Sequence, residues 1–391
     1  MFLVAHAKNY RVAFWNCLHA ALASDGIDLR VVYGSPNAEH RARRDNAVLP
    51  SEYGREVRSY WLGDRFVLHA ACNELADADL VITQNENKLL LNAWLLASRG
   101  SGRRRVAFWG KGNIKACDIS KPGEWLRHKT AFAVDWWFPY TKATAVNLQN
   151  NGVRCGITPV SNAIDTAELK RDLESISPDC LLAGRRSLTL GRGPVGVFCG
   201  NLSSNKDLPL LFEASHLIRE SIPEFQLLVI GNGPQREYVE RMAVRHRFIH
   251  FMGPRVGRQK ALLFRMADLF LLPGAVGLAI LDSFAAGLPL LTTRRSDHGP
   301  EISYLQEGMN GLISSPRAED FANMTVRLLS NSELMARLRA GATEASLEYS
   351  VESMTENFRQ GILACLGPSR VVVQRGADFS QPLSETVRGE S

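Results

Sequence analysis

Gln226-Leu227-Leu228-Val229-Ile230-Gly231-Asn232-Gly233-Pro234 is a short apolar run closed by a Gly-x-Gly turn and a proline. The run has strand composition, and proline suits the first helical position, where an amide would lack a partner anyway. The stretch therefore reads as strand, tight turn and helix start. Outward from it the alternation repeats. Strands are expected at 195–199, 248–251, 269–272 and 288–293, with helices beginning near Leu208, Pro234, Gly257 and Gly277. Strands separated by helices of this length imply a parallel sheet covered on both faces.

The first half shows the same rhythm. Strands are expected at 27–33, 57–62, 80–83, 105–109 and 138–141, and helices at 10–23, 66–76, 86–98 and 142–150. Between about 169 and 194 the pattern fails, ending in Gly191-Arg192-Gly193-Pro194, which reads as a linker. The expected organisation is an α/β chain: a first domain 1–175, a linker 176–194, a second domain 195–350, a helix 351–367 and a mobile tail 368–391.

Composition narrows the class. The 391 residues are 45% hydrophobic and 22% charged, which excludes a disordered or fibrous chain. A net charge of +6 suits an anionic partner such as a phosphate or nucleotide without demanding nucleic acid. The seven cysteines stand singly, with no C-x-x-C pair, as free thiols do in a reducing compartment. The apolar N-terminus is too short for a secretory segment, and 269–281 is broken by Pro273 and Gly274, so an intracellular protein with no membrane span is expected.

Strand-to-helix junctions line the crevice of an open parallel sheet, and four in the second half carry candidate chemistry. Gly200-Asn201-Leu202-Ser203-Ser204-Asn205-Lys206 places a lysine just before a helix, where charge and backbone amides together hold phosphate; the plainer reading is a loop with a solvated lysine. Gly231-Asn232-Gly233-Pro234 fails as a dinucleotide fingerprint because the third glycine position is Arg236. It brings backbone near a ligand, or it is simply a good turn. Gly277-Leu278-Ala279 offers free amides at a helix start, and Asp282 follows one to two turns on. Asp297, His298 and Glu301 lie between a strand and a helix, where capping is the plainer account of Asp297 or Glu301. In the first half, Gly110-Lys111-Gly112 lacks the Ser or Thr of a Walker phosphate loop. Asp77-Ala78-Asp79 resembles a carboxylate pair for metal, but it stands at a strand's entry, which favours a structural role.

The ordered string Gly200-x-x-x-x-x-Lys206, Pro223 to Pro234, His250-Phe251-Met252-Gly253, Ala267 to Pro273 and Gly277 to Thr293 resembles the retaining, nucleotide-sugar-dependent glycosyltransferases of family 4. The likeness covers Val195 to about Ile313 well, and the first half more loosely through Tyr10 to Phe14, Tyr140-Thr141 and Asn162 to Asp165. The resemblance implies the GT-B fold, two Rossmann-like domains facing across a cleft, with a last helix returning to the first domain. It implies a nucleotide-diphosphate sugar as co-substrate, its base undefined, with no cofactor and no metal. Carried over, Lys206 pairs with the diphosphate, and Gly200, Asn201, Gly231, Asn232, Gly233, Pro234, Met252 and Gly253 lie around the donor. The amides of Gly277, Leu278 and Ala279 meet the phosphates, and Asp282 holds the ribose. His298 and Glu301 complete the donor side. Catalytic work falls to Lys206, Lys111 and Asp282.

Three departures stand out. The first motif glutamate is Gly274, an expected arginine is Asn201, and a first-domain histidine is replaced by Lys111. The acceptor implied is lipid-linked or a polysaccharide, met in the cytoplasm or at the inner membrane face. Arg41, Arg43, Arg44, Arg103 to Arg105, Trp125, Trp136 and Trp137 are the candidates for that face, against solvated arginines and packed tryptophans. Two other readings stay open: a non-catalytic nucleotide-sugar-binding protein that keeps the fold and nucleotide site but has lost turnover, and a sugar-nucleotide epimerase relying on His298 and Glu301.

Overall fold

A computed structural model describes residues 1–36, 45–63, 66–86, 88–99, 104–112 and 122–367, apart from the side chains of Pro122, Glu124 and Arg127. The expected tail, Arg41, Arg43, Arg44, Arg103 and Cys117 lie outside the described residues. Fifteen strands occur among those described: β1 (Phe2–Val4), β2 (Val31–Gly34), β3 (Gly54–Val57), β4 (Ser59–Leu62), β5 (Phe66–His69), β6 (Leu80–Gln84), β7 (Arg105–Gly110), β8 (Trp136–Pro139), β9 (Gly156–Ile157), β10 (Val195–Cys199), β11 (Gln226–Ile230), β12 (Ile249–Gly253), β13 (Leu269–Leu271), β14 (Leu290–Thr293) and β15 (Gly311–Ser314).

Seven form one sheet in the order β3-β2-β1-β6-β7-β8-β9, and six form another in the order β12-β11-β10-β13-β14-β15. Every pairing in both sheets is parallel. The strand order reverses between β1 and β6 in the first sheet and between β10 and β13 in the second. Such switch points open a crevice at the carboxyl ends of the strands, because the loops there turn to opposite faces. The central strands are buried on both sides, hence their continuous apolar runs: Val195, Val197, Phe198, Leu227, Leu228 and Val229 are all fully buried.

The helix Val351–Leu366 packs on the helix Val12–Ser24 of the first domain. Its Phe358 stacks on Phe138 with ring centroids 5.0 Å apart and meets Phe14 at 5.2 Å and Trp109 at 5.4 Å. Arg359 holds Asp25 through two bonds of 2.6 and 2.7 Å. Two folded halves are thus tied by a helix whose apolar stripe belongs to the other half.

The structure corrects the sequence reading in three places. The run 57–62, expected as one strand, is split: Val57 ends β3 of the parallel sheet and Ser59–Leu62 is β4 of a separate hairpin, because each half finds a different partner strand. Residues 66–76 are not one helix: Phe66–His69 is β5, antiparallel to β4, and only Cys72–Leu75 is helical. A four-residue apolar run fits either period, and pairing with Ser59–Leu62 decides it. The stretch read as a linker holds a helix, Pro178–Ser187, started by Ser177, whose hydroxyl accepts from the Cys180 amide, and by Pro178 in the first turn. That helix and Ala167–Glu174 both pack on Gly257–Met266, a helix of the second domain.

Candidate functional site

The carboxyl ends of both sheets face a common cleft of about 1030 Å³. Its second-domain wall carries Asn205, Lys206, Gly277, Leu278, His298 and Glu301; its first-domain wall carries Lys8, Lys88, Lys111, Tyr140, Thr141 and Asn162. Lys111 and Lys206, far apart in sequence, therefore address one space. The described residues contain no group of three or more His, Cys, Asp or Glu side chains able to hold a metal ion.

Lys206 ends a 3-10 turn, Ser204–Lys206, after β10. Asp207 then takes φ 53°, the left-handed region, to start the helix Leu208–Ser221. Arg295 fastens this turn, bridging Asp207 at 2.8 Å and Asp297 at 2.8 Å. Lys206 Nζ donates to the Ala275 carbonyl. Burial depresses its pKa while Asp297 opposes that, as expected for an ammonium withdrawn from water.

Gly274 explains why this turn lies where it does. A Cβ on Gly274 would stand 2.2 Å from Lys206 C, 2.3 Å from Lys206 Cα and 2.4 Å from the Asn205 carbonyl oxygen. All three are backbone atoms, so no side chain fits while the turn stays. The Ala275 amide donates to Asn205 O at 2.7 Å, sealing the contact. The departure from the family motif at Gly274 is thus a close approach of two loops, and the space of the absent side chain is filled by backbone.

His298 has both ring nitrogens committed. Nδ1 accepts from the Val276 amide at 3.0 Å, and Nε2–H donates to Thr293 O at 2.8 Å. Burial lowers its pKa, matching a neutral ring in that tautomer. Among its described contacts it fixes the loop 275–277 at the cleft. Glu301, 4% exposed, caps nothing; its Oε1 accepts from Asn162 Nδ2 at 2.6 Å. Asn162 Oδ1 accepts in turn from Arg11, whose Nη1 also donates to Ala163 O at 2.9 Å. This buried chain crosses between the domains at the cleft floor. Asp297 is likewise no cap but the partner of Arg295.

The helix Ala279–Ala285 begins beside the cleft, and among the described residues the amides of Gly277, Leu278 and Ala279 donate to no backbone carbonyl. Asp282 lies one turn inside. It forms an ion pair of 2.7 Å with Lys260 of Gly257–Met266, both side chains less than one-fifth exposed. Burial acts to lower the Lys260 pKa, but Asp282 and Cys199 together outweigh it and the net direction is upward. Asp282, expected to hold the ribose and share the catalytic work, is thus not among the residues lining the cleft; its carboxylate is engaged by Lys260, a packing partner 22 residues away that the sequence does not mark.

The turns Gly200-Asn201, Gly231 to Pro234 and Met252-Gly253 close the same sheet edge but do not line the cleft. They pack on one another: Gly231 has φ 146°, and a Cβ there would stand 1.9 Å from Gly200 O. Leu202 donates to Asn232 O at 2.9 Å. Only glycine meets both demands at 231. Asp77 accepts two bonds from Arg30, at 2.8 and 2.9 Å, which gives it a structural role. Of the tryptophans, Trp137 is fully buried and donates to Ala131 O, Trp136 donates to Thr158, and Trp125 is exposed. Sequence reasoning also passed over Lys8, Glu86 and Lys88, which reach the cleft on loops of the first sheet.

Comparison with known proteins defines the class. Residues 193–331, most of the second domain, match the model of glycosyl transferases group 1. The two-sheet architecture is the GT-B fold: HepE of Anabaena, in complex with UDP, superposes with TM-score 0.66 at 15% identity, covering 92% of this chain and 99% of that one. A glycosyltransferase from Rickettsia africae gives 0.67 at 13% identity, covering 94% and 98%. Among curated relatives, the sulfoquinovosyl transferase SQD2 of Arabidopsis thaliana is 25% identical over 170 residues, 42% of this chain and 32% of that protein. The phosphatidyl-myo-inositol mannosyltransferase of Mycobacterium leprae is 27% identical over 184 residues, 46% and 47%. The chain matches less than half the length of these two relatives.

Proposed function

We propose that the protein is a glycosyltransferase that moves a hexosyl group from a nucleotide-diphosphate donor to a lipid-linked or polysaccharide acceptor, with retention of configuration. The observation that carries this reading is the cleft itself, with Lys206 and the Gly277 and Leu278 amides on one wall and Lys111 on the other. Breaking a sugar–phosphate bond builds negative charge on the departing diphosphate, and fixed cations and amides stabilise it as it forms. Retention would follow from same-face attack or a short-lived ion pair, neither of which needs a nucleophilic carboxylate. The UDP and UDP-glucose complexes of HepE support a nucleotide-sugar donor here. The name of the M. leprae relative, a phosphatidyl-myo-inositol mannosyltransferase, supports a lipid-linked acceptor. Among the described residues no helix is long and apolar enough to cross a membrane.

Within this reading Lys111 supplies the positive charge that Asn201 does not. Thermal unfolding against UDP, GDP, ADP, TDP and their sugar conjugates, with chelator present, tests the whole. A nucleotide at a hundred times its dissociation constant stabilises by about 2.7 kcal/mol. One nucleotide standing out supports the reading. Stabilisation by a sugar conjugate from which no nucleotide is ever released favours a nucleotide-sugar-binding protein without turnover, the reading that Gly274, Asn201 and Lys111 motivate, and no shift from any of them counts against the donor site itself. Lys111→Ala should weaken both donor affinity and turnover by about tenfold or more; unchanged kinetics would remove Lys111 from the mechanism.

A further inference from the structure

The first-domain wall of the cleft holds more positive charge than a donor diphosphate explains. Lys8 leaves the carboxyl end of β1, Lys88 follows β6, and Lys111 follows β7. β1 and β6 are the neighbouring strands at which the first sheet reverses its order, where a parallel sheet opens its crevice to a ligand. Arg11 is the fourth cation there, but its guanidinium is spent on Asn162 and Ala163. Among the described residues one carboxylate on this wall, Glu86, answers the lysines, pairing with Lys88 at 2.6 Å. The acids across the cleft are already engaged, Asp297 by Arg295 and Glu301 by Asn162. Lys8 Nζ lies 5.6 Å from the Tyr10 ring centroid, and among the described residues it forms no ion pair.

We infer that Lys8 and Lys88 form a second anion subsite, at the switch point of the first sheet, that recognises a phosphate or diphosphate group on the acceptor. This rests on the cleft being the transfer site proposed above. A neutral acceptor would leave Lys8 and the Lys88–Glu86 pair facing the cleft with a net positive charge. A phosphate there completes the charge balance and orients the acceptor hydroxyl toward the donor wall. The phosphate belongs either to a soluble phosphorylated sugar or to a lipid headgroup, since the same two lysines serve both.

The test titrates the full chain, saturated with whichever nucleotide diphosphate stabilises it, with glycerol 3-phosphate and with glycerol. In parallel arms, sedimentation is measured with phosphatidic acid vesicles and with phosphatidylcholine vesicles. The inference expects the phosphorylated probe to bind and glycerol not to, with affinity falling about tenfold or more in Lys8→Gln/Lys88→Gln. The pair Lys8→Arg/Lys88→Arg should restore binding, which a merely misfolded glutamine variant would not allow. Lysine-dependent binding to phosphatidic acid vesicles alone assigns the phosphate to a lipid. Equal binding of glycerol and its phosphate, no phosphate binding in either arm, or binding indifferent to the glutamine pair overturns the inference. A nucleotide that stabilises the chain alongside such a result leaves the transferase reading standing. Lysine-dependent phosphate binding in a chain that no nucleotide stabilises leaves the anion subsite and removes the donor site.

Discussion

Gly274 offers the sharpest perturbation. If the position merely lacks the glutamate that the sequence resemblance implies, Gly274→Glu should restore donor recognition. The geometry demands the opposite. The first added carbon meets Lys206 C, Lys206 Cα and Asn205 O at 2.2, 2.3 and 2.4 Å, all inside the closest approach of real side chains. None of those atoms is the end of a flexible chain, so the turn Ser204–Lys206 must move as a unit. Moving it breaks the 2.7 Å bond from Ala275 to Asn205 O and strains the Arg295–Asp207 pair. Overpacking costs about 1–3 kcal/mol and the lost hydrogen bond about 1 kcal/mol more. A total of about 3 kcal/mol lowers the melting temperature of a domain this size by roughly 6–12 °C. Gly274→Ala should show nearly all of this, because the clash is already complete at Cβ. Differential scanning calorimetry measures the stability, and nucleotide titration of the same samples measures whether Lys206 still reaches its ligand; affinity should fall together with melting temperature in both variants. Gly274→Ala melting within 1 °C of wild type, or Gly274→Glu binding nucleotide more tightly, would refute the packing argument.

Three further outcomes follow from buried charge. Lys260→Met strands Asp282 in the interior and should destabilise by about 3–5 kcal/mol, whereas Lys260→Met/Asp282→Leu should recover much of it; chemical denaturation of the three proteins decides. Arg11→Met leaves the buried Asn162–Glu301 pair without its cation and should cost about 2–4 kcal/mol. It should also widen the cleft, read as an increased radius of gyration in solution scattering. His69 is 2% exposed, its Nδ1 bonded to Ser59 Oγ at 2.8 Å, and burial pushes its pKa down to about 4. The unfolded chain binds a proton near pH 6.5 that the folded one refuses. Its contribution is therefore intact above pH 6.5 and is lost as pH falls toward 4, by roughly 3 kcal/mol at most. The pH profile of unfolding free energy should be flatter over that window in His69→Gln; parallel profiles would remove His69 as the cause.

Much of the architecture was legible because it rests on local pattern. The runs at 195–199 and 227–230 carry no polar side chain except the Cys199 thiol, as strands buried on both faces require, and the glycines after them announce turns. Gly231 shows the limit of that legibility. The turn is readable, yet its reason, an oxygen of Gly200 1.9 Å from where a Cβ would stand, belongs to a neighbouring strand. The 66–76 segment failed similarly, because a short apolar run has no period long enough to exclude either element, and its antiparallel partner settles it.

The sequence by itself determined two parallel-sheet domains and the lysine and glycine positions at strand exits, since composition and spacing act within a few residues. Tertiary structure alone decided what those positions do. It turned His298 from a ligand candidate into a loop clamp by occupying both nitrogens, and filled the place of a missing acid with the Lys206 backbone. It also gathered Lys8, Lys88 and Lys111 on one wall opposite Lys206. Charge and hydrogen-bond partners lie across the fold, separated by scores of residues, and only packing brings them within the few ångströms over which such forces act.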